Sequence, residues 1–452
     1  MRISRRTILL LIAVCAAVVS GCGSGAGYSQ QGYPQHFRGP TAMVVTPNFY
    51  DLRGSYVYIV NSQGDTMSVL DAKFRTIVMH DSEDEDRVDI VRLGMAPYDI
   101  AITPEASFVY ITDALDGTLR RVQAHPPFDV HRTNITARSA RIVLPTDQDP
   151  EGQVYAYMTA PDDMMVLKML VGEDLITSRA VLPGKPVSLD ITPDKQLILV
   201  TTDDGDLLFV DAYTMRVFDE ATIHLGGRPT NVLAKDDSVA YVINNDPPQI
   251  HVIDIEKAEE KELEIEFDVP LGDFAMGTHG RYLYITGQNG EVYVMDTRIN
   301  RPCNAGRGRI FFEDIWPPSN PTIDDVDVFD CKTRDEEWYI EYDGAADNWK
   351  VTGSESGRQA TRALTNQYYI SDNGLIGFRI NQSDRYPSDG DTFYFETFGG
   401  IEPIGVGLIP DGVVALPYWK KPDYDLIFVA NTGTHNISVI YSEEQVSVGA
   451  IN

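Results

Sequence analysis

The feature of this 452-residue sequence that most constrains its fold is a repeat with a period of about 42 residues. Each unit contains a short apolar segment that begins with an aromatic residue or leucine and ends in a small polar residue. We call these segments the anchors. They begin at Tyr58, Tyr110, Tyr157, Leu199, Tyr241, Tyr284 and Phe428, so successive anchors are 52, 47, 42, 42, 43 and 144 residues apart. The last interval equals one period plus an insertion of about 100 residues.

Other positions in each unit predict strands and turns. An alternating segment typical of a half-buried strand follows most anchors and ends at Asp71, Asp211, Asp254, Asp296 or Tyr441. A fourth strand follows, for example Thr76 to Val78. Upstream of several anchors, two prolines seven residues apart indicate a strand entry and a strand exit, and these pairs are Pro40 and Pro47, Pro97 and Pro104, Pro186 and Pro193, and Pro403 and Pro410.

Four short strands per period, repeated seven times, predict an all-β fold that is a seven-bladed β-propeller. A single blade cannot bury both of its faces, so neighbouring blades must cover it and a ring must close. We interpret the repeated Asp, Asn, Gly and Pro residues as architectural. Two units depart from the pattern, since APDDMMVLKM lacks the terminal Asp and Arg120 and Arg121 occupy a strand position in another unit.

The repeat units resemble a known family. The units are GKPVSLDITPDKQLILVTTDDGDLLFVD, GIEPIGVGLIPDG and DLIFVANTGTHNISVIY. They resemble YVTN-type propeller repeats, a group that includes lactonase-like and quinoprotein-like propellers. The resemblance covers roughly residues 38–300 and 400–445. It implies the propeller fold and leaves the function unspecified.

The first residues have the form of a bacterial export signal. Arg2, Arg5 and Arg6 precede an apolar run that is too short to span a bilayer permanently. Val19-Ser20-Gly21-Cys22 resembles the lipobox of bacterial lipoproteins, which implies removal of residues 1–21, diacylation of Cys22 and anchoring to a membrane. The Gly23 that follows implies the outer membrane. The alternative is an ordinary cleaved signal with an incidental cysteine. Residues 22–37, rich in Gly, Ser and Gln, predict a flexible tether.

Residues 301–399 interrupt the repeat and contain three of the four tryptophans. Segments at 337–342, 375–380 and 392–396 predict strands. We expect a small β-sandwich-like module inserted between blades one to six (residues 38–300) and blade seven with the ring closure (residues 400–452). Once Cys15 leaves with the signal and Cys22 carries lipid, Cys303 and Cys331 remain. In an oxidising compartment they predict a disulfide.

Charge and motifs exclude several chemistries. Asp and Glu number 67 against 37 Lys and Arg, a net charge of −30 that argues against nucleic-acid binding. The eight histidines show no metal-binding spacing, and nucleophile-elbow, P-loop and dinucleotide motifs are absent. We therefore predict no cofactor, with one alternative: clustered carboxylates suit Ca²⁺, at Asp324, Asp325, Asp327 and Asp330, or at Asp384, Asp389 and Asp391.

Two functional hypotheses remain from the sequence. The first is a lipid-anchored, non-catalytic scaffold of the envelope that binds a protein or polymer partner through propeller loops and the inserted module. The alternative is a lactonase-like or quinoprotein-like enzyme with its site at the mouth of the central channel. An enzyme should bring two or more His, Glu, Asp or Arg side chains within hydrogen-bond reach in that channel. A scaffold should line it with backbone and small polar groups.

Overall fold

The computed structural model describes residues 37–451 except 48–54, 79–90, 95, 127, 136, 150–151, 262, 264, 299, 303–307, 315–320, 329–335, 375, 383, 398–402 and 443–445. The described residues belong to one unit, His36–Asn452. The predicted lipidation site at Cys22, the predicted disulfide of Cys303 and Cys331, and Asp330 lie outside the described residues. In the described part of the chain, no helix is long and apolar enough to cross a bilayer.

The first four sheets are antiparallel meanders whose strands follow one another along the chain. Sheet 1 contains β1 (Pro40–Val45), β2 (Tyr56–Asn61), β3 (Thr66–Asp71), β4 (Thr76–Ile77) and β5 (Val91–Arg92). Sheet 2 contains β6 (Pro97–Ile102), β7 (Phe108–Asp113), β8 (Thr118–Gln123) and β9 (Val130–Asn134). Sheet 3 contains β10 (Ile142–Val143), β11 (Tyr155–Ala160), β12 (Met165–Leu170) and β13 (Leu175–Val181). Sheet 4 contains β14 (Pro186–Ile191), β15 (Leu197–Thr202), β16 (Asp206–Asp211) and β17 (Ile223–His224).

The remaining sheets include three meanders of the same kind and two sheets of a different order. Sheet 5 contains β18 (Pro229–Ala234), β19 (Val239–Asn245), β20 (Pro248–Asp254) and β21 (Glu259–Glu260). Sheet 6 contains β22 (Leu271–Met276), β23 (Tyr282–Gly287), β24 (Glu291–Asp296) and β25 (Arg301–Pro302). Between sheets 6 and 7 come β26 (Gly308–Asp314), β27 (Thr322–Val328), β28 (Glu336–Asp343), β29 (Asn348–Gly353), β30 (Gly357–Arg358), β31 (Tyr368–Ile370), β32 (Ile376–Asn381) and β33 (Thr392–Thr397). The chain then forms β34 (Ile404–Gly405), which joins sheet 6, and sheet 7 with β35 (Pro410–Tyr418), β36 (Lys421–Asn431), β37 (Asn436–Tyr441) and β38 (Val446–Ile451). Two short 3-10 turns lie at Pro161–Asp163 and Asp219–Ala221.

The repeat positions fall where the sequence predicts them, with one exception. The anchors lie in the second strand of each meander, and the terminal carboxylates end third strands. Pro40, Pro97 and Pro186 begin first strands. The prediction for the last pair was wrong, because Pro410 rather than Pro403 begins a first strand. The segment after Pro403 pairs with β24 instead, so the last period starts one strand later than its spacing indicates.

Hydrophobic clusters fill the spaces between successive meanders. Tyr58 and Val69 of sheet 1 pack with Ile100 and Val122 of sheet 2, and five similar clusters follow along the chain. A further cluster joins sheet 7 to sheet 1 through side chains that include Ile59 and Phe428. The first strands also contact one another in the order β1, β6, β10, β14, β18, β22, β35 and back to β1. The described meanders therefore form a closed circle, which is the arrangement of a β-propeller.

Anchor tyrosines tie one sheet to the next by a recurring hydrogen bond. The hydroxyl of Tyr58 donates to the carbonyl oxygen of Ala124 at 2.6 Å, and that of Tyr157 to the carbonyl oxygen of Ala212 at 3.1 Å. Tyr110 and Tyr241 donate to side chains in the corresponding turns, Asp174 at 2.8 Å and Asn300 at 2.7 Å. Each acceptor lies after the third strand of the following sheet. A buried tyrosine at this position thus adds a hydrogen bond worth about 1 kcal/mol to its apolar packing.

Two sheets have an outermost strand in two pieces. In sheet 6, Pro302 of β25 lies opposite Met295 of β24, and Ile404 of β34 lies opposite Val292 of the same strand. In sheet 1, β4 and β5 pair in the same way with opposite ends of β3. The longest interval between anchors and the 52-residue interval therefore have the same origin. In both cases additional residues are inserted between the two pieces of the outermost strand.

The chain between β25 and β34 forms sheets 8 and 9 with their own core. Sheet 8 has the strand order β26, β33, β28, β29, β30, and sheet 9 has the order β27, β32, β31. The core is rich in aromatic residues, and the fully buried ones among them are Trp338, Trp349, Phe378, Phe393 and Phe395. The indole nitrogens of Trp338 and Trp349 each donate a hydrogen bond of 3.0 Å to a threonine hydroxyl. These aromatic residues are therefore core residues of the additional sheets.

Candidate functional site: the axial cluster

The repeated carboxylates stabilise turns, as the sequence indicates. Oδ1 of Asp71 accepts hydrogen bonds from the backbone N–H groups of Lys73 and Phe74, both at 2.9 Å. Oδ1 of Asp211 accepts the equivalent bonds from Tyr213 and Thr214. Such bonds satisfy backbone donors that the end of the strand leaves free. These residues are architectural.

The polar residues that end the anchors tie second strands to third strands. Asn61 donates to the hydroxyl of Ser68 at 2.9 Å, and Asn431 donates to Ser438 at the same distance. In sheet 2 the pair is Asp113 and Arg120, whose charged atoms are 3.6 Å apart and whose side chains are almost fully buried. This substitution explains why the arginine-containing unit departs from the repeat pattern.

The calcium hypothesis concerns carboxylates outside the meanders. Asp324, Asp325 and Asp327 lie in β27, and a bulge separates Asp324 from Asp327 in the pairing with β32, but their side chains are outside the described set. Asp389 and Asp391 stabilise turns, since Asp389 accepts from the N–H of Gly344 and Asp391 from the N–H of Ser388, both at 2.7 Å. Among the side chains that the structure describes, no group of three His, Cys, Asp or Glu could hold a metal ion.

Charged side chains gather where the first strands meet around the axis. We call the group of Asp99, Arg141, Asn231, Asp273 and Asp411 the axial cluster. Its members come from five different sheets, because each lies in or directly beside the first strand of its meander. Arg141 donates from Nη2 to Oδ1 of Asn231 at 3.1 Å, and Asn231 donates from Nδ2 to Oδ1 of Asp273 at 2.7 Å. One hydrogen-bonded chain thus joins sheets 3, 5 and 6 across the axis.

The other two carboxylates balance the charge of Arg141. Oδ1 of Asp99 is 3.9 Å from Nη1 of Arg141, and Oδ2 of Asp99 accepts the N–H of Ile142 at 2.9 Å. The Arg141 side chain is 27 % exposed and that of Asp99 is 15 % exposed. Burial lowers the pKa of Arg141, but Asp99, Asp273 and Asp411 outweigh it, so the net pKa lies above the usual value. The guanidinium is therefore permanently charged, although its buried Nε has no hydrogen-bond partner among the described residues.

Burial also perturbs the carboxylates around the axis. It raises the pKa of Asp273 to about 6, against the lowering effect of Arg141. Asp190, at the end of β14, has its pKa raised to about 6 by burial, although it accepts hydrogen bonds from the N–H groups of Ala234 and Ile191. The pKa values of Asp99 and Asp411 are also raised by burial, while Arg141 lowers them. With pKa values of about 6, Asp190 and Asp273 can exchange protons near that pH.

Sequence reasoning did not identify the axial cluster. A signal was present, because Asp99, Asn231 and Asp273 each lie two residues after the first residue of a first strand, at Pro97, Pro229 and Leu271. An enzyme should bring two or more His, Glu, Asp or Arg side chains within hydrogen-bond reach in the central channel, and the axial cluster meets this expectation only in part. Charged groups do gather in the channel, but among the described members no two ionisable side chains hydrogen-bond directly, and Asn231 links Arg141 to Asp273.

Comparisons with known proteins bear on the fold. No family model matches the chain, and no curated protein matches it. Among solved structures, hydrazine synthase of Kuenenia stuttgartiensis is similar with a TM-score of 0.55 and 16% sequence identity, over 92% of this chain and 99% of that one. Virginiamycin B lyase from Staphylococcus aureus gives a TM-score of 0.44 and 13% identity, over 59% of this chain and 83% of that one. The likeness to the first of these structures shows that the chain has a β-propeller fold.

Proposed function

We propose that this chain is a lipid-anchored protein of the bacterial envelope, in which a seven-bladed propeller is a non-catalytic binding scaffold. In this proposal, residues 301–399 form a β-sandwich-like module that is mounted on the sixth blade and recognises an envelope protein or polymer. Cys22 carries the lipid, and Cys303 bonds to Cys331 at the entry to the module.

One observation carries this proposal: the circle of meanders closes without sheets 8 and 9. β22 contacts β35 and β35 contacts β1, so sheets 6, 7 and 1 pack directly on one another. The additional sheets have a separate aromatic core and connect through the split outermost strand of sheet 6. Because the ring does not need this module for its closure, the module is the part of the chain most free to serve recognition.

The register of sheet 6 defines the test. Two strand positions separate Pro302 from Ile404 along β24, so a two-residue linker in place of residues 303–403 restores one continuous outer strand. We expect this variant to fold and to lose the partners that the tagged full chain captures from solubilised envelopes. The matched control replaces residues 79–90 in the split strand of sheet 1 and should keep those partners. Retention of all partners by the module deletion would contradict the proposal.

The anchor is tested separately. Replacement of the lipidated residue, Cys22→Ser, should move the chain from the membrane fraction to the soluble fraction, because the acyl chains on Cys22 provide the binding energy. Mass spectrometry of the wild-type N-terminal peptide should show a diacylated cysteine. A membrane-bound Cys22→Ser chain would place the anchor elsewhere.

A second candidate function is acid–base catalysis at the axial cluster. The raised pKa of Asp273, about 6, favours it because a general acid or base works best near its own pKa. The resemblance to lactonase-like propellers makes a panel of simple lactones the first substrates to test. Hydrolysis by the wild type and its loss in Asp273→Asn would support this function. Equal rates in both proteins would contradict it.

A further inference from the structure

A pocket of about 320 Å³ lies between sheets 3 and 4, and no member of the axial cluster lines it. It opens where the connections β10–β11 and β14–β15 meet the turn after β16. Its volume is at the small end of the range for ligand sites, about 300–1,000 Å³. The walls combine aromatic rings with polar groups, namely Tyr155, Tyr157, Tyr213, Lys168, Gln153 and Asp149.

The tyrosine rings form one wall. Tyr157 is buried and fixed by its hydrogen bond to Ala212, whereas the residue Tyr213 is 84 % exposed. The exposed ring of Tyr213 next to the fixed ring of Tyr157 offers a flat apolar surface to the C–H face of a ligand.

Lys168 lies at the base of the pocket and is only 6 % exposed. Its ammonium donates to the carbonyl oxygens of Ala212 at 2.9 Å and Tyr213 at 3.3 Å, and it lies 4.3 Å from the ring centroid of Tyr155. Burial lowers its pKa. Carbonyl dipoles and ring faces therefore hold this cation in place without an ion pair among the described side chains, and one of its three N–H groups is left over.

The polar wall contains donors and acceptors in balance. Lys168, Lys195 and the Gln153 amide are donors, while Asp149 and Asp194 are acceptors, so the formal charges in the pocket cancel. A hydroxyl group both donates and accepts, and it needs partners of both kinds. A charged ligand would be attracted by the two side chains of opposite charge and repelled by the two side chains of like charge. The balance therefore favours a neutral ligand with several hydroxyl groups.

We propose that this pocket binds a neutral saccharide of one or two pyranose rings, with its C–H face on Tyr213 and its hydroxyl groups on Lys168, Gln153 and Asp149. The site lies outside residues 301–399, so it is independent of the module. If the protein contacts an envelope polymer, this pocket gives the ring a recognition site of its own.

Ligand-observed NMR with the full chain tests the proposal, with glucose, cellobiose and N-acetylglucosamine as probes and glucuronate as the charged comparator. We expect at least one neutral probe to bind and glucuronate to bind more weakly. Tyr213→Ala should weaken binding at least about fivefold, because it removes the stacking surface. Tyr213→Trp should retain binding, since a larger ring replaces it. Tyr386→Ala removes another exposed tyrosine, 75 % exposed and outside the pocket, and should bind as the wild type does.

The outcomes against the proposal are distinct. Absence of binding by every neutral probe, equal binding by wild type and Tyr213→Ala, or tighter binding of glucuronate than of glucose would each overturn it. The chain without residues 303–403 should bind the saccharide as well as the full chain does. Loss of binding in that variant would overturn the assignment to this pocket, whereas loss of envelope partners would concern only the module.

Discussion

At the scale of single residues, Arg141 is the side chain on which the axial cluster depends. Its guanidinium faces the carboxylates of Asp99, Asp273 and Asp411. A buried ion pair adds little net stability over an apolar alternative, but removal of one partner leaves uncompensated charge. Arg141 is therefore expected to be far more sensitive to substitution than an arginine on the surface.

Arg141→Gln should lower the free energy of unfolding by about 3–5 kcal/mol, because three carboxylates lose their counter-charge. The control is Arg138→Gln, three residues earlier, whose side chain is 59 % exposed and whose ion pair with Asp162 spans 3.5 Å. Arg138→Gln should lower the free energy of unfolding by less than about 1 kcal/mol. Urea unfolding of both variants measures the difference, and equal losses would show that the cluster does not depend on Arg141.

Asp273 gives a prediction that depends on pH. Burial raises the pKa of Asp273 to about 6, so between about pH 4 and 6 the folded state binds more protons than the unfolded state does. The contribution of this group to stability is therefore greatest at low pH and falls as the pH rises through 6. Asp273→Asn keeps the Oδ1 acceptor for Asn231 and removes the charge.

We expect Asp273→Asn to be more stable than the wild type at pH 8 by on the order of 1–2 kcal/mol, and this difference to be clearly smaller at pH 4.5, where the carboxyl group of folded wild type is mostly protonated. Urea unfolding at both pH values tests this expectation. A difference of the same size at both values would mean that Asp273 is ionised throughout, and that its environment is less desolvated than its burial indicates.

The sequence predicts architectural residues better than site residues for a physical reason. Asp71 and Asn61 act within one sheet, so their role follows from local spacing. Arg141 and Asp273 come from sheets 3 and 6, and only closure of the circle brings them together. Their positions in the first strands carry a weak signal, but no local pattern indicates which of the seven first strands face one another across the axis.

At the scale of elements, the split outermost strands explain both irregular intervals between anchors. An outermost strand pairs on one side only, so a chain that leaves it breaks few ladder hydrogen bonds. Inner strands are covered on both faces and paired on both edges. The alternating pattern was sufficient to predict β28, β32 and β33, whereas the division of β25 from β34 could not be read from it, because each piece is only two residues long.

The loop between β4 and β5 tests this account. Val78 continues the strand, since its N–H donates to the carbonyl oxygen of Val69 at 2.8 Å, and one position then remains before Val91. Replacement of residues 79–90 by a single residue should therefore join β4 to β5. We expect the free energy of unfolding to change by less than about 1 kcal/mol, because closing a shorter loop costs less entropy. A larger loss would show that the removed residues pack on the ring.

At the scale of the whole molecule, stability depends on the contact between the last sheet and the first. Thr432 donates from its hydroxyl to the carbonyl oxygen of Pro40 at 2.6 Å, and the N–H of Gly39 donates to Nδ1 of His435 at 3.0 Å. These bonds join residues almost 400 positions apart in the sequence. The repeat predicts that a ring closes, but no local pattern indicates these bonds, which join residues at the two ends of the repeat array.

Gly412 lies at this closure and provides a direct test. A Cβ atom on Gly412 would lie 2.4 Å from the carbonyl oxygen of Thr41, so Gly412→Ala would force β35 away from β1. We expect Gly412→Ala to lower the free energy of unfolding by about 1–3 kcal/mol, measured as a lower midpoint of thermal or urea unfolding. Gly405→Ala is the control, since nothing lies within 4 Å of its added Cβ. Similar midpoints for the two variants would mean that this contact does not limit stability.

The split strands also indicate where foreign sequence can be carried. The ring keeps its pairing on either side of a long excursion at residues 303–403, and sheet 1 keeps its pairing across residues 79–90. A folded reporter domain inserted in place of residues 79–90, between β4 and β5, should therefore leave the propeller intact if the ends of the reporter lie close together. The outermost strands of the sheets are thus insertion sites for additional domains, whether natural or engineered.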